Sequence, residues 1–119
     1  MTDNGNPDRE FAIAAARTAD AHKASEIAIL DVSKIFFLAT YFVIATARSE
    51  RHLHALADEL REMTKKTGRK TLGVEGLGGG GWVLFDAGEI IAHLFLEEER
   101  KLYDLEMLWG DAPKINWQE

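Results

Sequence analysis

Seven consecutive residues, Tyr41–Ala47 (YFVIATA), carry no charge and show no alternation of apolar and polar side chains. A strand with one wet face alternates with a period of two, so an unbroken apolar run reads as a strand covered on both faces. Such a strand belongs near the middle of a sheet that has a layer above it and a layer below it. A chain of 119 residues is long enough for one domain with a modest core. These constraints together point to a mixed α/β (α+β) sheet of about five strands flanked by helices.

The rest of the chain supplies the parts. Asn6-Pro7-Asp8 is a helix start, with Asn at the N-cap, Pro at the first helical position and acids in the first turn. The predicted helix runs to about His22 and buries Phe11, Ala15 and Ala19. Glu26–Val32 reads as a strand. Ser33–Ala39 (SKIFFLA) is too short for a helix and reads as either a strand or an irregular turn. A second helix is predicted from Ser49 to about Thr67, with Leu53, Leu56, Ala57, Leu60 and Met63 on one face and Gly68 as its stop. It crosses over between the strand ending near Ala47 and a short strand, Lys70–Glu75. A flexible loop, Gly76–Gly81, leads into a hairpin, Trp82–Asp86 and Glu89–Leu96, around Ala87-Gly88. Glu97–Leu102 should be helical, and the tail after Gly110 extended. The expectation is one domain over 1–119, with flexible ends at about 1–6 and 111–119.

Charge is unevenly spread. Residues 82–111 hold eight acids and two bases, which equals the whole-chain net charge of −6; residues 48–70 hold seven bases and four acids. A protein that grips nucleic acid directly shows the reverse balance, and no direct nucleic-acid site is evident. An acidic lobe suits a basic protein partner. No apolar run reaches the roughly 18 residues that span a bilayer, and the polar N-terminus lacks the pattern of a signal peptide. The absence of cysteine fits a reducing cytoplasm.

The candidate chemical motifs fail one by one. Gly78–Gly81 is followed by Trp82 and a strand, whereas a phosphate loop needs Lys-Ser/Thr and a helix. His52 and His54 lie two apart on a helix, too far round to pinch a metal, and read as solvated. His93 shares a strand face with Ile91 and Phe95, either as a partly buried, hydrogen-bonded histidine or as an interface residue. Asp86 and Glu89 flank the hairpin turn, where turn chemistry explains the Asp. No cofactor or metal is expected. Trp82, Tyr103 and Trp109 offer rigid amphipathic contact area, although each could instead be core or core-rim.

Three segments resemble the ribosomal silencing factor (Iojap-like) family, over about Phe11 to Trp109. They are Asp31-Val32-Ser33 leading into Tyr41–Thr46; Ser49–His52 with Ala55–Asp58; and Glu75-Gly76, Trp82–Asp86, Gly88, His93, Phe95, Tyr103–Glu106 and Leu108-Trp109. Two departures stand out: Thr40 where the family has an acid, and the four-glycine loop in place of a charged stretch. The resemblance implies a nucleotidyltransferase-like topology without that enzyme's Gly-Ser and Asp-x-Asp residues. It implies a non-enzymatic repressor of translation that binds the large ribosomal subunit through ribosomal protein L-fourteen and sterically blocks subunit joining under nutrient limitation. By match to the family motif, the binding surface is expected at Trp82, Leu84, Asp86, His93, Phe95, Tyr103, Leu105, Glu106 and Trp109, with Leu84 and Phe95 the readiest to turn out as core. The alternatives are a nucleotide-dependent enzyme on the same fold, or a module that forms a homodimer when free.

Overall fold

The computed structural model describes residues 6–118. The expected flexible start therefore lies, apart from Asn6, outside the described residues. The elements are α1 (Pro7–Ala21), β1 (Ser25–Asp31), β2 (Tyr41–Ala47), α2 (Glu50–Lys66), β3 (Gly73–Glu75), β4 (Trp82–Asp86), β5 (Ile90–Leu96), α3 (Glu97–Tyr103) and α4 (Leu105–Leu108).

Local chemistry explains the helix boundaries. The Asn6 side chain accepts the Arg9 N–H at 3.0 Å, and Pro7 follows the cap. Ser49 Oγ accepts the His52 N–H at 3.1 Å to start α2. Gly68, with φ +85°, ends it, because a side chain is disfavoured in that left-handed conformation.

The five strands lie in the order β1-β2-β5-β4-β3. β2 and β5 are parallel; the other neighbours are antiparallel. β5, the last strand in the chain, takes the centre. β2 sits between β1 and β5, and all seven of its residues are buried, as the unbroken apolar run requires. α2 carries the chain from β2 past β5 and β4 to β3 at the far edge. That edge strand is three residues long rather than the predicted Lys70–Glu75, since only Gly73, Val74 and Glu75 find β4 partners.

One sheet face packs on α1 and α2. Tyr41, Val43, Ala45, Val83, Phe85, Ile90, Ala92 and Leu94 meet Phe11, Ala15 and Ala19 of α1 and Leu53, Leu56 and Leu60 of α2. The small residues of α1 let that helix approach the strands closely. The opposite face is a second, smaller core of Leu30, Val32, Phe42, Ile44, Phe95 and Ala112, edged by Phe36, Trp82, Ile91, Leu105 and Trp109.

Three expectations need correcting or completing. Residues 33–39 take the irregular-turn alternative and not the strand: the Val32 carbonyl accepts the N–H groups of Ile35 and Phe36, and Asp31 Oδ1 accepts from Ser33. His52 is buried instead of solvated. Its Nδ1 accepts the Arg48 N–H at 2.9 Å, and its Nε2 lies 2.7 Å from the His22 carbonyl, joining the ends of α1 and α2. The acidic helix extends to Tyr103 and is followed by α4, because Asp104 takes a left-handed turn (φ 42°) and its side chain caps α4 at the Met107 N–H. The tail is extended, as predicted, and lies along β1: Asp31 N–H donates to Pro113 O, Ile115 N–H to Ile29 O, and the Trp117 indole to Ile27 O.

Candidate functional site

The hairpin register gathers the candidate residues. Trp82 is paired with Phe95, Leu84 with His93, and Asp86 with Ile91. Alternate residues of a strand share a face, so Trp82, Leu84 and Asp86 stand beside Phe95, His93 and Ile91 on the side turned away from α1 and α2. β2 adds Phe42, Ile44 and Thr46, which pair in register with Ile91, His93 and Phe95.

Aromatic rings connect this face. Trp82 has Tyr103 at 4.5 Å and Phe95 at 5.1 Å between ring centroids. His93 lies 4.7 Å from Phe42, edge to face, and Phe42 reaches Trp109 at 5.6 Å. Phe36, from the loop after β1, closes the row against Trp109 at 5.4 Å. Edge-to-face and offset pairs at these separations add to the apolar burial of each ring. α3 and α4 are thereby fixed to the sheet through Tyr103, Leu105 and Trp109, although the helices themselves bury no residue completely.

The nine candidate residues divide into two groups. Phe95 is 1% exposed and His93 6%. Both lie within the sheet and support the surface from beneath; they do not form it. Trp82, Leu84, Asp86, Leu105, Glu106 and Trp109 are half-buried, and Tyr103 is exposed. The two carboxylates have intramolecular work. Asp86 Oδ1 accepts the Gly88 N–H at 2.8 Å, which is turn chemistry. Glu106 pairs with Arg100 at 3.0 Å, and Arg100 also donates to Thr46 Oγ1. Glu89 accepts from Thr40, so Asp86 and Glu89 have separate partners. Among the described residues, no group of three or more His, Cys, Asp or Glu is placed to hold a metal ion.

His93 carries the most perturbed electrostatics. Its Nδ1 lies 3.3 Å from the Trp82 indole nitrogen, which can only donate. The neutral ring therefore carries its proton on Nε2, which is buried without a hydrogen-bond partner among the described residues. Burial pushes the pKa down from 6.5 to about 4, because the interior disfavours the charged form.

Sequence reasoning did not single out one exposed apolar segment. Ile35, Phe37 and Leu38 are exposed, Phe37 at 92%, on the loop that Phe36 fastens to Trp109. Met107 and Leu108, the two residues before Trp109, are exposed as well. Contiguous exposed apolar groups of this kind mark contact surfaces. The signal was present as the run IFFL without a strand or helix period, but its attachment to the hairpin face, through Phe36 against Phe42 and Trp109, is a tertiary contact.

Known proteins resemble this chain in sequence and in fold. The family described as "Ribosomal silencing factor during starvation" matches residues 6–119. The chain is 37% identical over 99 residues to the ribosomal silencing factor RsfS of Bacillus subtilis, covering 83% of this chain and 84% of that one. It is 30% identical over 105 residues to the chloroplastic protein Iojap of Zea mays, covering 88% of this chain and 46% of that one. A crystal structure of a Chromobacterium violaceum protein, 34% identical, superposes with a TM-score of 0.83 over 94% of this chain and 92% of that one. Another, from Bacillus halodurans, is 30% identical with a TM-score of 0.79, over 91% and 98%.

Proposed function

The chain belongs to the ribosomal silencing factor family, and on that premise we propose that it binds the large ribosomal subunit through ribosomal protein L-fourteen. Bound there, it would stand where the small subunit must dock and would lower translation when nutrients are short. The action is steric and needs no catalysis. The compartment that suits it is the bacterial cytoplasm.

One observation carries this reading: Tyr103 is exposed and Trp82 and Trp109 partly so, while the rings behind them hold the row rigid. Trp82, Tyr103 and Trp109 each touch a buried or half-buried ring behind them. They can therefore contact a partner with little further loss of side-chain freedom, a property of residues that dominate binding energy. Glu98 and Asp111 are exposed in the same acidic stretch of chain as Tyr103 and Trp109, and would draw a basic ribosomal protein. Two acids expected to pair with the partner, Asp86 and Glu106, already serve the hairpin turn and Arg100. We therefore assign the contact chiefly to Trp82, Leu84, Tyr103, Leu105 and Trp109, with His93 and Phe95 as the layer beneath.

Co-sedimentation with purified large subunits tests the reading. The chain should travel with the subunit and reduce its association with small subunits. Trp82→Ala combined with Tyr103→Ala should weaken binding by about 30-fold or more, as loss of anchoring aromatics does elsewhere. Failure of the unaltered chain to co-sediment would overturn the function. Unchanged binding by the folded double variant would overturn the site.

A further inference from the structure

The net charge of −6 conceals a reversal at one end of α2. Between Arg61 and Lys70 stand five cations, Arg61, Lys65, Lys66, Arg69 and Lys70, against one acid, Glu62. Arg61 and Lys65 are one turn apart on the same helix side. The left-handed turn at Gly68 then brings Arg69, Lys70 and Thr71 against them. Arg61, Lys65, Arg69, Lys70 and Thr71 line a shallow groove of about 310 Å³. Arg69 is fixed in place: its guanidinium pairs with Asp8 and lies 4.8 Å over the Phe11 ring. Arg61, Lys65, Lys66 and Lys70 are exposed, and among the described residues they take part in no ion pair.

We propose that this groove, in the layer of α1 and α2 and so apart from the aromatic face, seats the phosphodiester backbone of ribosomal RNA, an inference that rests on the reading of the chain as a large-subunit factor. Unneutralised cations one helical turn apart, with a threonine hydroxyl among them, match a row of phosphates. No aromatic residue stands between Arg61 and Thr71 to stack on a base. The groove therefore recognises charge and shape, as duplex RNA is recognised, and not sequence.

Position supports the same partner. α2 has 17 residues and so is about 25 Å long. At its start, Glu50 accepts the Gly81 N–H, and Gly81 abuts Glu99 of the acidic α3. The basic groove lies at its other end. An acidic pole and a basic pole separated by the length of a helix suit a surface in which a basic protein is set among RNA phosphates. Each pole repels the wrong neighbour, so the charge distribution fixes orientation as well as attraction.

The test compares the unaltered chain with Arg61→Gln/Lys65→Gln/Lys70→Gln, co-sedimented with large subunits across a range of salt. The slope of log affinity against log salt should flatten by about 2 to 3 in the triple variant, at 0.7 to 0.9 per phosphate contact. Binding to isolated ribosomal protein L-fourteen should not change. Because the chain has no cysteine, Lys66→Cys provides one thiol for a tethered iron chelate, which should cut nearby ribosomal RNA. An unchanged slope in a variant that still binds subunits overturns this inference and leaves the function standing. A flattened slope without RNA cleavage overturns it in favour of an acidic protein. Weaker binding to the isolated L-fourteen protein also overturns it, because the cations would then face that protein. If the unaltered chain does not co-sediment, both readings fall.

Discussion

The indole N–H of Trp82 donates to Nδ1 of His93 over 3.3 Å, joining a half-buried residue of the candidate surface to a buried one beneath it. The bond fixes the tautomer of His93 and the tilt of the Trp82 ring together. It also makes the surface sensitive to what happens below it. A change at His93 is felt at Trp82, and through Trp82 at Tyr103, 4.5 Å away.

Stability should fall in mild acid. His93 has its pKa pushed down from 6.5 to about 4 by burial. Between those values the unfolded chain takes up a proton that the folded chain refuses, so the folded state loses ground as pH drops. The contribution is fully present above pH 6.5 and fades toward the lower value, amounting to about 3 kcal/mol at the limit. Urea unfolding across this range should show the slope, and His93→Gln should flatten it. A flat curve for the unaltered chain would contradict the burial argument.

Trp82→Phe separates the ring from its donor. The phenyl keeps much of the packing on Phe95 and Tyr103, but His93 Nδ1 loses its partner in a buried place. A loss of about 1–3 kcal/mol in unfolding free energy is expected for an unsatisfied buried acceptor. A cost near zero would show that the Trp82–His93 bond contributes nothing.

The loop after β1 offers a cleaner test of the surface than the hairpin does. Phe37 is 92% exposed and Leu38 62%, so Phe37→Ser with Leu38→Ser should change stability by no more than about 0.5 kcal/mol. Subunit binding should nevertheless weaken by about tenfold or more if this loop joins the contact. Retained affinity would confine the contact to the hairpin and α3–α4.

Gly76 and Gly78 should behave differently despite their nearness. Gly76 has φ +95°, and a Cβ there would sit 2.0 Å from the Trp82 carbonyl oxygen. Gly76→Ala combines backbone strain with that clash and should cost about 3 kcal/mol or more. A Cβ on Gly78 meets nothing within 4 Å, so Gly78→Ala should stay within about 0.5 kcal/mol. Equal effects at the two positions, measured by chemical denaturation, would refute this account of the loop.

The C-terminal segment should open before the sheet does. Backbone bonds at Asp31 and Ile115 hold it to β1, whereas β2 and β5 pair along seven residues each. Hydrogen exchange at the Ile115 amide should therefore be at least about 100-fold faster than at Ala92, through local opening. Equal protection would show an end as firmly held as the core.

The amino-acid sequence by itself determined the parts. Caps at Asn6 and Ser49, the stop at Gly68, the hairpin at Ala87-Gly88 and the fully buried run Tyr41–Ala47 all depend on neighbours a few residues away, and local spacing reports them. The residues of the family motif were equally legible, since a motif is itself a linear pattern. Tertiary structure decided everything that depends on which distant segments meet. It put β5 in the centre, buried His93 and Phe95 beneath Trp82, and drew His52 out of solvent to join the His22 carbonyl. It also fastened the unpatterned Ser33–Ala39 segment to Trp109 and folded four cations into a groove on a chain of net negative charge. The physical reason is the same in each case: burial and pairing are set by surfaces that close over one another in space, and a period read along the chain shows which face a residue takes but not what covers it.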